Sequence, residues 1–259
     1  MNVTDRVRTV KQPRGGYIKL SQFKEITFDD KHVLNDNENI SPAVIGMTVD
    51  YLTRYIKSGN KEEAFRISLH GATSAQMYGV QNANAVAKEL LLGINGLNDK
   101  SIINACKLVT FDVWYRRGRE VASKCKGYLE TNPDEATVNN VKTLVERCLA
   151  FFDRCGEITK DGFTFQGGGY TRTISTGDGD FLTADTLWEL KVTKKKPDST
   201  HTLQVLVYWI MGQHSGQEIF KNITKIGIFN PRLNIEYVLE VNSIPDDTIK
   251  TVEKDVIGY

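Results

Sequence analysis

GDGDFLTADTLWELKV, residues 177 to 192, alternates apolar and polar residues on either side of a short turn, and its register decides what the chain can be. With Ala184-Asp185 at the tip, Leu182 faces Leu187, Phe181 faces Trp188, and Asp180 faces Glu189. Opposed residues on one face of an antiparallel pair have Cβ atoms about 5 Å apart, and like charges placed so are destabilising. Lys191 lies two residues beyond Glu189, so it shares that face roughly 6.6 Å further along the strand. Trp188, Leu190 and Val192 then point the other way, towards the core. Three charges gathered on one side of a hairpin need something that repays their cost.

Outward from the hairpin, the period changes. Ser199 to Met211 reads as a helix apolar nearly all round, ended by Gly212, and KIGIF and IEYVLEV, joined by NPRLN at 230 to 234, make a second hairpin. On the N-terminal side, β segments are expected at 162 to 166, 169 to 175, 179 to 183 and 186 to 192, punctuated by the glycines at 167 to 169. Further back the spacing is helical. Ser41-Pro42 is an N-cap with proline at the first helical position, and that helix ends at Ser58-Gly59. Helices are also expected near 61 to 75, 82 to 92, 98 to 117 and 135 to 155, the last with an apolar face from Val138 to Cys155. Residues 1 to 40 are polar and irregular, with β-like pieces at 17 to 20 and 24 to 28. The expected order is an irregular segment 1–40, a helical region 41–158, and a β-rich core 159–259.

Bulk properties exclude several classes. The chain has 259 residues, enough for a sizeable core, and 33 Lys+Arg against 32 Asp+Glu leave a net charge of +1. A body that coats nucleic acid non-specifically would be strongly basic, so any polyanion site must be a local patch. The longest apolar run, Val205 to Met211, is too short to cross a bilayer, and the opening MNVTDRVRTVKQPRGGY has no apolar stretch of a secretory leader; a cytoplasmic protein is expected. Cys106, Cys125, Cys148 and Cys155 lack the tight spacing of a structural zinc or iron–sulfur site and read as reduced thiols.

Two carboxylates meeting across strands beside an ammonium suit a hard divalent ion such as Mg²⁺, which takes oxygen ligands and is often held by one or two carboxylates plus substrate phosphate. Such an ion activates water and neutralises charge on a phosphodiester, while a neighbouring lysine orients the water or stabilises the transition state. Asp180 followed by Glu189-Leu190-Lys191 resembles the D…(D/E)-x-K core of the PD-(D/E)XK nuclease superfamily. Gln204 and Tyr208, one turn apart on the next helix, form a Q-x-x-x-Y pair similar to that of its RecB-like exonuclease branch, and Gly177 stands where that branch has the glycine of G-x-x-D. The resemblance spans about residues 160 to 241.

It implies an α/β (α+β) protein: a restriction-endonuclease-like core, with a central mixed sheet flanked by helices, plus a largely helical N-terminal region. It further implies a metal-dependent nuclease acting on DNA, with Asp180, Glu189 and Lys191 catalytic, Mg²⁺ or Mn²⁺ held by Asp180, Glu189 and the Leu190 carbonyl, and Gln204 and Tyr208 supporting the site or substrate. The family's upstream helix ligand would be Asp50, in the G-x-x-x-D run from Gly46, or else Glu146. The alternative is a nuclease fold that grips nucleic acid or a protein partner without cleaving. Arg172, Lys194, Lys195, Lys196 and Arg232 are candidates for DNA-phosphate contacts, and His201 and His214, which have no spaced partner, read as structural or surface residues.

Overall fold

A computed structural model describes residues 1–259. Helix α1 (Val3–Thr9) and strand β1 (Lys24–Thr27) open the chain. Helices α2 (Pro42–Ser58), α3 (Lys61–Ala64), α4 (Arg66–Met77), α5 (Ala83–Leu92), α6 (Asp99–Leu108), α7 (Asp112–Arg116), α8 (Arg119–Ala122) and α9 (Glu135–Arg154) follow. The remainder is β2 (Lys160–Thr164), β3 (Asp178–Leu182), β4 (Thr186–Leu190), α10 (Ser199–Ser215), β5 (Lys225–Asn230), β6 (Ile235–Glu240) and α11 (Asp246–Thr251). Contacts divide the chain into one unit of Met1–Asp30 with Phe151–Tyr259 and another of Lys31–Ala150.

The first unit is built on a six-stranded mixed sheet of order β1-β6-β5-β4-β3-β2. Only β4 and β5 run parallel, and a parallel pair needs a crossover, which α10 supplies. That helix is set at both ends by local chemistry. The Asp198 carboxylate accepts from the backbone N–H of Thr200 and His201, and Gly216 closes it in the left-handed region at φ 68°. Between these caps α10 buries Leu203, Leu206, Val207, Ile210 and Met211 in a cluster with Leu182, Leu187, Ile226, Ile228 and Tyr237. The opposite face of the sheet is aromatic. Phe151, at the end of α9, stacks on Phe229 at 4.2 Å between centroids and meets Trp188 edge-on at 4.9 Å.

Both sheet faces are therefore covered, and this places the hairpin. The β3–β4 pairing is Phe181↔Trp188 and Leu182↔Leu187, the register counted from the sequence. Gly179 has no side chain because none fits: a Cβ there would lie 2.1 Å from Cζ of Phe163, whose ring covers the position from β2. Gly179→Ala should accordingly cost about 1–3 kcal/mol through overpacking, read as a lowered midpoint in urea denaturation; an unchanged midpoint would show that the ring moves aside.

Several sequence expectations change. The N-terminal segment expected to be irregular contains α1, tied to the body by the backbone bond from Val3 to Thr176 and by Arg6, whose guanidinium donates to the Val256 and Asp255 carbonyls. The 17–20 piece is not a strand, whereas 24–27 is β1, paired with β6. Residues 169–175 form no strand either, since their hydrogen bonds close locally, from Thr171 N–H to the Ile174 carbonyl and from Thr173 and Ile174 N–H to the Thr171 hydroxyl. The expected 98–117 helix breaks after Leu108 into a 3₁₀ turn and α7, where the Thr110 hydroxyl donates back to the Lys107 carbonyl at 2.6 Å. Ser41 and Gly59 bound α2 as expected.

Candidate active site

Asp180 lies in the middle of β3, at the point where its pairing with β4 ends. Beyond Phe181↔Trp188 no further pair is formed, and the N–H of Leu190 donates instead to Asp180 Oδ2 at 2.7 Å. The carboxylate thus takes the place of a ladder carbonyl. One position before Leu190, Glu189 is only 5% exposed, although its face was expected to point away from the core. The reason is that Leu187 and Glu189 share the side that α10 covers, alongside Ile226 and Ile228 of β5. Burying a carboxylate there is costly without compensation.

Compensation is half complete. Glu189 Oε1 accepts from the Lys191 ammonium at 2.5 Å, while Oε2 is buried with no hydrogen-bond partner. Burial by itself would lower the Lys191 pKa, but the Glu189 carboxylate, and after it Asp180, outweigh this and hold it above the ordinary lysine value. Lys191 is therefore an ammonium at neutral pH, able to donate hydrogen bonds and unable to accept a proton.

From α10, Gln204 and Tyr208 complete the group. Both are buried, and the Gln204 amide donates to the Tyr208 hydroxyl at 2.8 Å. Burial, followed by the charges of Glu189, Asp180 and Asp178, pushes the Tyr208 phenol well above its usual range. Tyr208 is consequently a neutral group whose own hydrogen is available for donation beside the carboxylates. The five residues Asp180, Glu189, Lys191, Gln204 and Tyr208 meet at the junction of β3, β4 and α10.

The other expected residues fare differently. Asp50 and Glu146 belong to the second unit, where Asp50 accepts from Arg54 Nε at 2.7 Å and Glu146 is exposed. No group of three or more His, Cys, Asp or Glu side chains suited to a metal gathers anywhere in the chain. Arg172 is exposed but in a loop, not on the strand it was expected to occupy. Lys194, Lys195 and Lys196 are exposed, with Lys196 paired to Glu25 at 2.8 Å. Arg232 is 8% exposed and so is not a surface contact; its turn folds inward because Asn230 Oδ1 accepts from the Arg232 N–H, while the Asn230 amide donates to the carbonyls of Thr193 and Lys195.

Two residues with no motif to mark them stand near this group. Arg8 of α1 acts electrostatically on both Lys191 and His201. His201, which the sequence assigned to structure or surface, accepts from the Asp198 N–H through Nδ1 at 3.0 Å; burial, with Lys191 and Arg8 adding to it against the pull of Asp198, lowers its pKa and keeps the ring neutral. Comparison of the chain with protein-family models, with curated proteins and with solved structures finds no match.

Proposed function

We propose that this chain is a divalent-metal-dependent nuclease of the PD-(D/E)XK type, with a restriction-endonuclease-like core in its sheet unit and DNA as substrate. The observation that carries the reading is Glu189 Oε2, a carboxylate oxygen buried without a partner while its twin is held by Lys191. A buried polar atom left in this state is uncommon and asks for a ligand. The available donors are carboxylate oxygens, the ligand type that Mg²⁺ and Mn²⁺ prefer, and two carboxylates suffice where water and phosphate complete the shell. Asp180 and Glu189 would hold the ion; when bound, it lowers the pKa of its water and neutralises charge building on the phosphodiester.

The chain's own residues then divide the work. Lys191, fixed as an ammonium, donates to the attacking water or to a phosphate oxygen and cannot serve as the base. Tyr208, positioned by Gln204, offers a neutral O–H on the same side, a placement that favours orienting substrate over proton removal. The assignment of DNA rests on the motif resemblance. Incubation with linear and with covalently closed circular DNA, in Mg²⁺, Mn²⁺ or EDTA, tests the reading. Cleavage is expected with either metal and none in EDTA, with loss of linear DNA alone marking an end-dependent enzyme. Intact DNA under every condition would overturn it.

One observation favours a second reading, in which the fold grips nucleic acid without cutting. Only two carboxylates meet at the site, and one of them already pairs with Lys191. Calorimetric titration with Mn²⁺ separates the two, because the cleaving reading requires saturable binding that disappears when Asp180 is changed.

A further inference from the structure

In the second unit, α4 packs against α7, and their seam carries rings on the outside of the protein. His70 of α4 stacks on Tyr115 of α7 at 5.6 Å and 28°, and Tyr78, just past α4, stacks on Trp114 at 6.3 Å and 26°. Trp114 and Tyr115 are consecutive on α7, and their partners His70 and Tyr78 are eight residues apart, about 12 Å of helical rise, so the two ring pairs sit at successive levels along the seam. Tyr115 is 56% exposed and Tyr78 52%, although rings of this size normally serve a core. The Arg119 guanidinium stands 5.9 Å from the centre of the Tyr78 ring, at the outer limit of a cation–π contact.

The adjoining chain is basic. From Arg116 to Lys126 there are five cations and one anion, Glu120, in a protein whose whole charge is +1. Arg117, Arg119, Lys124 and Lys126 are all exposed. Arg116 is anchored differently: it donates to the Tyr51 hydroxyl and lies 3.5 Å from the buried Asp112 carboxylate, which fixes the end of α7. A rigid helix end thus presents aromatic faces with cations beside them.

We propose that this α4–α7–α8 surface binds single-stranded nucleic acid, with one base stacking on Tyr115, a second displacing the Arg119 guanidinium from the Tyr78 ring, and phosphates running along Arg117, the released Arg119, Lys124 and Lys126. Exposed aromatic faces take up bases of any sequence, and neighbouring cations neutralise the backbone. A duplex offers base edges and phosphates but no base faces, so a single strand is the occupant that uses both halves of the surface. A membrane would call for a continuous aliphatic patch in place of stacked rings. The surface lies in a different unit from Asp180 and Glu189 and does not depend on their chemistry.

Fluorescence anisotropy with a labelled oligo-dT in EDTA tests the proposal, using wild type, Asp180→Asn, the pair Tyr78→Ala/Tyr115→Ala, the pair Tyr78→Phe/Tyr115→Phe, and Arg119→Glu/Lys126→Glu. The alanine pair should raise Kd at least tenfold and the phenylalanine pair less than threefold, because Phe retains the stacking face. Charge reversal should raise Kd tenfold or more and flatten the salt dependence. Blunt duplex should bind more weakly than oligo-dT. Asp180→Asn should bind as wild type even where it abolishes cleavage, so failure here and failure of the nuclease reading are separable. Absence of oligo-dT binding, wild-type affinity in an alanine pair that melts normally, or affinity that falls with Asp180→Asn alone would each overturn the proposal.

Discussion

Asp180→Asn should lower divalent-dependent cleavage at least a thousandfold while leaving the fold nearly as stable as before. Three decades in rate correspond to about 4 kcal/mol of transition-state stabilisation, within the range expected when an ion that neutralises charge at the reacting phosphate is lost. Asparagine is the informative replacement because its side-chain carbonyl can still accept from the Leu190 N–H, now bonded to Asp180 Oδ2. Asp180→Ala removes that acceptor as well, so it should cost a further 1–3 kcal/mol or so of stability for an unsatisfied donor, and its inactivity would say less. A readout independent of turnover is available: a ligand that binds only the folded state raises stability with the logarithm of its concentration above Kd, so Mg²⁺ or Mn²⁺ should raise the Tm of wild type and leave that of Asp180→Asn unmoved. Cleavage within tenfold of wild type in Asp180→Asn would remove Asp180 from the catalytic group.

The hairpin that holds Asp180 was readable because local rules determine it. The Ala184-Asp185 tip and the alternation through Leu187 and Trp188 leave one register that keeps apolar residues in line, and the observed pairs agree with it. What lies above and below the hairpin was not readable. Glu189 looked like a residue on an open face, but β4 is covered on both sides, by α10 on one and by Phe151 from the end of α9 on the other. Strand alternation separates two faces without saying whether either is exposed. The same limit hid Arg8 and His201. Helix α1 joins the site's unit through contacts between residues far apart in sequence, such as Val3 with Thr176, and a seven-residue helix with no strong apolar stripe gives little local signal. Arg232 shows the same limit in a turn, since a charged residue among candidate phosphate contacts is buried where the turn folds against the Lys194–Lys196 loop.

Because Glu189 is buried and Lys191 holds one of its oxygens, the largest stability effect in the site should come from the lysine. Lys191→Met keeps the length and apolar stem of the side chain but strands a carboxylate that is 5% exposed and already has one oxygen without a partner. Removing one member of a buried pair is strongly destabilising, here about 3 kcal/mol, chiefly because the remaining charge is uncompensated. It follows that the loss should be largely reversed by a second change. Lys191→Met/Glu189→Gln, with no charge left to bury, should recover about 2 kcal/mol, and a coupling energy of that sign from urea denaturation of both single variants and the double would establish the pair as the cause. The pH dependence has a definite direction. The Lys191 pKa is raised in the folded protein, so the ammonium's contribution is fully present below the unfolded value of about 10.4 and is lost only as pH rises through the higher folded value. Between pH 7 and 9 Lys191 should therefore add no slope to the pH dependence of wild-type stability. A single variant as stable as wild type, or a double variant no better than Lys191→Met, would mean that the orphaned charge is hydrated in place, and the lysine would then be held at the site by the chemistry it performs there and not by the stability of the fold.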